Sequence, residues 1–296
     1  QEMMATHMEA GADVTISAVP VLSSEASGLG IMRLDDTGRV VGFLEKPQTE
    51  EDLALVRTDP AWIDAKGIRS NGRDCLASMG IYLFNRQTLL DVLEKTDYQD
   101  FGKEVFPASM RTRHVQVHLF DGYWEDIGTI KSFFEANLSL AGEKPPFDLV
   151  LPHRPIYSRA RFLPPSRIDG ATVKRSLVAD GCQIQEGAVI ENSVIGLRCL
   201  IGRDTVIRNS IVMGNDFYEM PEGLNGNGSE PKPPLGIGPG THVEGAIIDK
   251  NCRIGSGVRI MNTEGIENSD EDPFGMIRDG IVCVPKGTTL PDGWSR

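Results

Sequence analysis

Through the second half of the chain, aliphatic residues recur at steps of five or six: Ile168, Val173, Val178, Ile184, Ile190, Ile195, Ile201, Ile207 and Val212, then Ile237, Val243, Ile248, Ile254 and Ile260. A small residue often follows, as in Ile195-Gly196, Ile201-Gly202 and Ile254-Gly255. A step near six matches neither the turn of an α-helix nor the alternation of a half-buried strand. It suits a solenoid of short flat strands, three to a coil, each pointing one aliphatic side chain inward. The competing arrangement is an antiparallel sandwich of short strands. Residues 215–235 are polar and rich in Gly, Pro and Asn, so they read as a loop between coils.

The first half is built differently. Twelve of the 32 glycines lie in residues 1–149 and twenty in residues 150–296. The pattern predicts a helix ending near Gly11, a strand from Asp13 to Val19, and a hairpin of Gly30–Leu34 with Val40–Leu44 about Asp35-Asp36-Thr37-Gly38. A strand Ala77–Phe84 leads to a helix near Arg86–Glu94, and a strand Val115–Phe120 leads to an amphipathic helix from Thr129 to about Ala141. Alternation of this kind is α/β. The Pro-rich stretch from Lys144-Pro145-Pro146 to Leu163-Pro164-Pro165 suits neither a long helix nor a central strand. The expected domains are therefore 1–143, a linker 144–165, and 166–296, in keeping with a chain about twice a typical domain in length.

Thirty Lys and Arg against 42 Asp and Glu leave a formal charge of −12. Such a chain has no general attraction for a phosphate backbone or an anionic bilayer, which argues against nucleic-acid and membrane partners. The five cysteines are dispersed and nowhere CxxC, indicating neither a disulfide framework nor a zinc site and fitting a reducing cytoplasm. No apolar run approaches 18 residues, and Gln1-Glu2-Met3-Met4 is neither a signal peptide nor an initiator methionine.

Three stretches of the first half could carry chemistry. In Gly42-Phe43-Leu44-Glu45-Lys46-Pro47 a carboxylate and an ammonium stand together at a strand end fixed by proline. The lysine could hold a phosphate and the glutamate accept hydrogen bonds from sugar hydroxyls; the plain alternative is a solvated ion pair. Ser78-Met79-Gly80-Ile81-Tyr82-Leu83-Phe84 opens a strand on a small polar residue, which is also how ordinary strands start. Gly122-Tyr123-Trp124-Glu125-Asp126-Ile127-Gly128-Thr129 sets aromatics beside two carboxylates before a helix. Asp126 could ligate magnesium there, or simply compensate the helix N-terminus.

Together with Asp100-Phe101-Gly102-Lys103-Glu104-Val105-Phe106-Pro107, Arg161-Phe162-Leu163-Pro164-Pro165, Met213-Gly214-Asn215-Asp216-Phe217-Tyr218-Glu219 and Ile248-Asp249-Lys250-Asn251, these stretches follow the order seen in glucose-1-phosphate adenylyltransferases (ADP-glucose pyrophosphorylases). The chain resembles that family essentially end to end. The resemblance implies a partial α/β Rossmann-like nucleotidyltransferase domain followed by a left-handed parallel β-helix. It further implies the conversion of ATP and glucose 1-phosphate to ADP-glucose and pyrophosphate for glycogen or starch synthesis. Gly30, Glu45, Lys46 and Ser78 would contact glucose 1-phosphate, with Lys46 at its phosphate, and Asp126 would ligate Mg2+; Lys46 and Asp126 are the expected catalytic residues.

Arg161, Lys250 and Lys286 match family positions that contact anionic sugar-phosphate or phosphoglycerate effectors, and Arg159 lies beside them; the resemblance also implies a homotetramer when full length. The family's Gly-Gly-Gly-x-Gly-Thr-Arg-Leu loop and Gly-Asp-His stretch do not occur in these residues. Gln1 aligns just after the latter, so a fragment lacking about 150 residues of the nucleotide side is expected, inactive alone. Gly236-Ile237-Gly238-Pro239-Gly240, with no helix after it, reads as a turn between coils rather than a replacement phosphate loop. Two rivals remain: another sugar-1-phosphate nucleotidyltransferase, including those fused to an acyltransferase that would need His242 as base, and a catalytically silent regulatory or assembly subunit.

Overall fold

Strand β1 (Val14–Val21) is buried along all eight residues, as a strand covered on both faces must be. Around it the computed structural model, which describes residues 1–153, 155–219 and 232–296, assembles a mixed sheet. The strand order is β3 (Val40–Glu45), β2 (Gly30–Leu34), β4 (Cys75–Phe84), β1, β5 (Val115–Leu119). Strand β5 joins β1 in parallel, whereas the β1–β4, β2–β4 and β2–β3 pairs are antiparallel. The chain divides into two compact units, Gln1–Trp124 and Glu125–Arg296.

Helix α1 (Glu2–Glu9) stops before Gly11, whose φ of 56° lies in the left-handed region. His7 fixes the helix to the sheet, with Nδ1 2.8 Å from Thr15 Oγ1 and Nε2 3.2 Å from Asn85 Oδ1. The expected hairpin, strands and long helices of this half are present. Three short helices, α2 (Glu50–Val56), α3 (Pro60–Ala65) and α5 (Phe106–Thr112), were not expected. At six or seven residues they show no full apolar period, and packing holds them: Phe106 is fully buried and meets Phe43 edge-on at 5.2 Å. Helix α4 (Arg86–Lys95) completes the unit.

In the second unit the aliphatic repeat becomes three parallel ladders. Ile168, Ile184, Ile201, Ile237, Ile254 and Leu290 pair in succession on one side. Val173, Ile190, Ile207, Val243 and Ile260 form the second, and Val178, Ile195, Val212, Ile248 and Val284 the third. Parallel pairing in all three excludes the antiparallel sandwich. The inward side chains make one core, and the glycine after the aliphatic residue has a steric cause. A Cβ on Gly196 would lie 2.2 Å from Met213 O, and one on Gly202 would lie 2.6 Å from Pro239 N. The backbone of the next coil leaves no space for a side chain.

Of the expected loop 215–235, residues 220–231 lie outside the described residues. Gly236 and Ile237 form a strand and Pro239-Gly240 a turn, as expected. Helix α6 (Ile130–Ala141) is capped by Thr129, whose side chain accepts from Ser132 N. Ile130, Phe133, Phe134 and Leu138, spaced along one helical face, cover Ile211, Ile247, Ile281 and Cys283 on the outside of the coils. The described residues of 144–165 form neither helix nor strand.

Candidate functional site

The end of the β2–β3 hairpin brings three of the expected residues together. Gly30 pairs directly with Glu45, and a Cβ on Gly30 would lie 2.8 Å from Glu45 Oε2 and 2.5 Å from Phe43 Cζ. Glycine is therefore what lets the Glu45 carboxylate lie over the β2 backbone. Lys46 follows with φ 51°, a left-handed conformation that long side chains rarely adopt. Its N–H donates to Leu29 O at 2.9 Å, so the turn closes back onto the entrance to β2. Pro47 is buried while Glu45 and Lys46 are exposed. Gln48, which sequence reasoning passed over, donates from Nε2 to Ser27 O at 3.0 Å and to Lys46 O at 2.8 Å. Through these two bonds it ties the lysine turn to the loop before Gly30.

Ser78 enters from β4, next to Ala77, which pairs with Ile31 beside Gly30. Immediately after Ser78 the β1–β4 register jumps: Ala18 faces Ser78 but Ile16 faces Tyr82. The surplus residues of β4 bulge out at Gly80, whose φ is 69°, and Gly80 N donates to Ser78 Oγ at 3.2 Å. Bulges re-aim side chains at sheet positions that carry function. Burial pushes the Tyr82 phenol up, with a Ser78 hydrogen bond acting in the opposite direction. The hairpin end thus offers an ammonium, a carboxylate and a hydroxyl within one sheet, a set able to bind a hydroxylated anion.

Asp126 belongs to the second unit. Its Oδ1 accepts from Gly128 N at 3.1 Å, and the helix cap that follows belongs to Thr129. Among the described residues no group of three or more His, Cys, Asp or Glu could enclose a metal ion. An exposed single carboxylate with one oxygen still available fits a magnesium ion shared with substrate phosphates, since Mg2+ keeps few protein ligands.

A second cluster lies on a corner of the coils. Gly287 N donates to Lys250 O at 2.9 Å, so Lys250 and Lys286 are stacked on successive coils although 36 positions apart. Asp216 lies between their ammonium groups, Oδ1 2.9 Å from Lys250 Nζ and Oδ2 3.2 Å from Lys286 Nζ. Hydrogen bonds from Lys250, Asn251 and Lys286 hold the Asp216 carboxyl well below the usual carboxylate range. Arg159 and Arg161 line a polar cavity of about 620 Å³ with Arg198, Asp216 and Lys250. Sequence reasoning had not assigned Arg198 or Asp216; the signal was that both sit at this corner of the repeat.

Residues 1–143 match the family model described as nucleotidyl transferase. Residues 161–294 match that of the GLGC left-handed parallel β-helix domain. The two matches follow one another along the chain in the order the sheet and the coils do. This chain is a nucleotidyltransferase domain followed by a left-handed parallel β-helix domain.

Proposed function

We propose that this chain belongs to a glucose-1-phosphate adenylyltransferase, which joins ATP and glucose 1-phosphate into ADP-glucose and pyrophosphate, and that it supplies the sugar-phosphate side of that reaction. The observation that carries the reading is the hairpin end, where Gly30, Glu45 and the left-handed Lys46 form one surface beside Ser78. Lys46 pairs its ammonium with the sugar phosphate, Glu45 accepts from sugar hydroxyls, and Ser78 adds a polar contact. A phosphate oxygen of glucose 1-phosphate attacks the α-phosphorus of ATP; that O–P bond forms as the bond to the pyrophosphate oxygen breaks. Positioning and charge compensation suffice for such a transfer, and no side chain becomes covalently attached. Asp126 would hold the magnesium ion, whose charge offsets that of the substrate phosphates. Arg159, Arg161, Lys250 and Lys286 take a small anionic effector in this reading.

Calorimetry with glucose 1-phosphate, glucose and inorganic phosphate tests the sugar-phosphate site. Lys46→Ala should weaken glucose 1-phosphate binding about tenfold or more, the scale of one charge-assisted contact, and leave glucose binding little changed. Equal affinities in parent and variant would reject the assignment. A silent regulatory or assembly subunit with the same domains would bind without turnover, which ADP-glucose formation by the full-length protein in an assay containing ATP distinguishes. For the acyltransferase alternative, His242 stands on a coil strand 3.5 Å from Glu244 Oε2, with no further histidine in residues 166–296.

A further inference from the structure

The two lysines of the candidate effector site are already held by an anion, and that anion belongs to this chain. Asp216 uses both carboxylate oxygens: Oδ1 on Lys250, Oδ2 on Lys286 and on Asn251 Nδ2 at 3.0 Å. The segment presenting it is fixed from both sides. Asp216 N donates to Asn251 Oδ1 at 2.8 Å. The neighbouring Asn215 is buried, donating from Nδ2 to Arg198 O at 2.9 Å and accepting at its own carbonyl from Arg198 Nη1 at 3.2 Å. Tyr218 then anchors the chain by donating its hydroxyl to Gly181 O at 2.9 Å. The carboxylate is therefore aimed at the lysines by structure rather than by chance rotation.

We propose that Asp216 is a built-in competitor for the effector site, which a small anion must displace from Lys250 and Lys286 in order to bind. The proposal rests on the reading of these cations as an anion site. The side chains involved are 45%, 58% and 41% exposed for Lys250, Lys286 and Asp216, so water screens the pairs and each is individually weak. A phosphate bearing up to two charges can exchange with a single carboxylate at such pairs. Because the carboxylate is tethered, it competes at a high effective concentration and sets the threshold at which a free anion takes the lysines. The polar cavity beside it, bordered by Arg159, Arg161 and Arg198, provides the space into which the incoming anion is received.

Equilibrium dialysis of radiolabelled inorganic phosphate against the 296-residue chain tests this. Asp216→Asn should tighten phosphate binding about three- to tenfold, the range expected on removing two exposed ion pairs. Asp216→Ser, which deletes the carboxylate without adding an amide, should do the same and guards against a folding defect peculiar to one variant. Glu264→Gln, an identical charge change at an exposed position elsewhere on the unit, should leave the affinity as in the parent. In D216N, further replacement of both Lys250 and Lys286 by alanine should abolish the gain. If K250A/K286A weakens phosphate binding in the parent but neither Asp216 variant tightens it, the anion site stands and the competitor role is overturned. If K250A/K286A binds phosphate as the parent does, the anion-site reading itself falls, and the proposal with it.

Discussion

The coils and the mixed sheet solve the problem of strand pairing in opposite ways. In the coils a residue meets its partner one turn later, as Val173, Ile190 and Ile207 do at steps of 17. In the sheet Ile31 must find Ala77 and Val14 must find Val115. A rule repeated at short range leaves its period in the sequence; a pairing made once at long range leaves none. The glycines differ in the same sense. Gly196 faces the backbone of the next coil, with Met213 O 2.2 Å and Met213 C 2.4 Å from a Cβ position, whereas Gly30 faces the ends of two side chains. Gly196→Ala should therefore cost the second unit about 3 kcal/mol, since neither coil can retreat without disturbing its neighbours. Gly30→Ala should cost about 1 kcal/mol, with Phe43 and Glu45 yielding, yet displace the Glu45 carboxylate and weaken glucose 1-phosphate binding. Urea unfolding of both variants checks this, and equal losses would break the comparison.

A smaller effect compares the interiors. Burial pushes the thiols of Cys75 in the sheet and Cys252 in the coils up to about 11. A folded-state value above the unfolded one means the folded chain holds its proton longer. The stabilisation is complete below the ordinary thiol range and is lost as pH rises through that range toward about 11. Each site should contribute a decline of about 2 kcal/mol by pH 11. Cys75→Ala should flatten the high-pH decline of the first unit and Cys252→Ala that of the second, as read by urea unfolding at pH 8, 9.5 and 10.5. A decline unaffected by either substitution would show that the two interiors admit water more freely than their packing indicates.

This contrast also sets what could be read in advance. From Val173 to Ile260 the inward aliphatic positions of the coils were legible, because one physical rule fixed them; Val284 and Leu290 in the last ladders, and the smaller core residues such as Cys182 and Ala188, fall outside that repeat and were not named. The hairpin, the long strands and the longer helices of the first half were legible as elements, but their order in the sheet was not, since no local signal encodes β2 beside β4. Helix α6 was read as an amphipathic helix, but its apolar face covers the outside of the coils, which its own sequence does not specify. Gly30, Glu45, Lys46 and Ser78 could be named, yet the reason for Gly30 required knowing that Glu45 pairs with it. Asp216 stood in a quoted motif and still went unassigned. Its meaning depends on Lys250 and Lys286 being stacked by coils of unequal length.

The smallest effect separates strain held for function from strain held by the fold. Among the described residues, the non-glycine positions with left-handed backbone are Asn or Asp except Lys46, Phe162, Arg175 and Arg198. Asn and Asp tolerate this region and long side chains do not, at a cost of about 1 kcal/mol or more. Phe162 and Arg198 line the polar cavity, and Lys46 ends the hairpin; Arg175 instead pairs with Glu191 on the next coil at 3.1 Å. Glycine at position 46 would relieve the strain while adding freedom to the unfolded chain, so the net gain should be only about 0.5 kcal/mol. Lys46→Gly should thus stabilise the first unit slightly and weaken glucose 1-phosphate binding about tenfold. Arg175→Gly should give a stability change of similar size in the coils and leave that binding untouched. Paired urea titrations and calorimetry decide the matter: if Lys46→Gly destabilises the unit, the left-handed turn is supported by contacts of the lysine itself, and its strain is not a feature retained for binding.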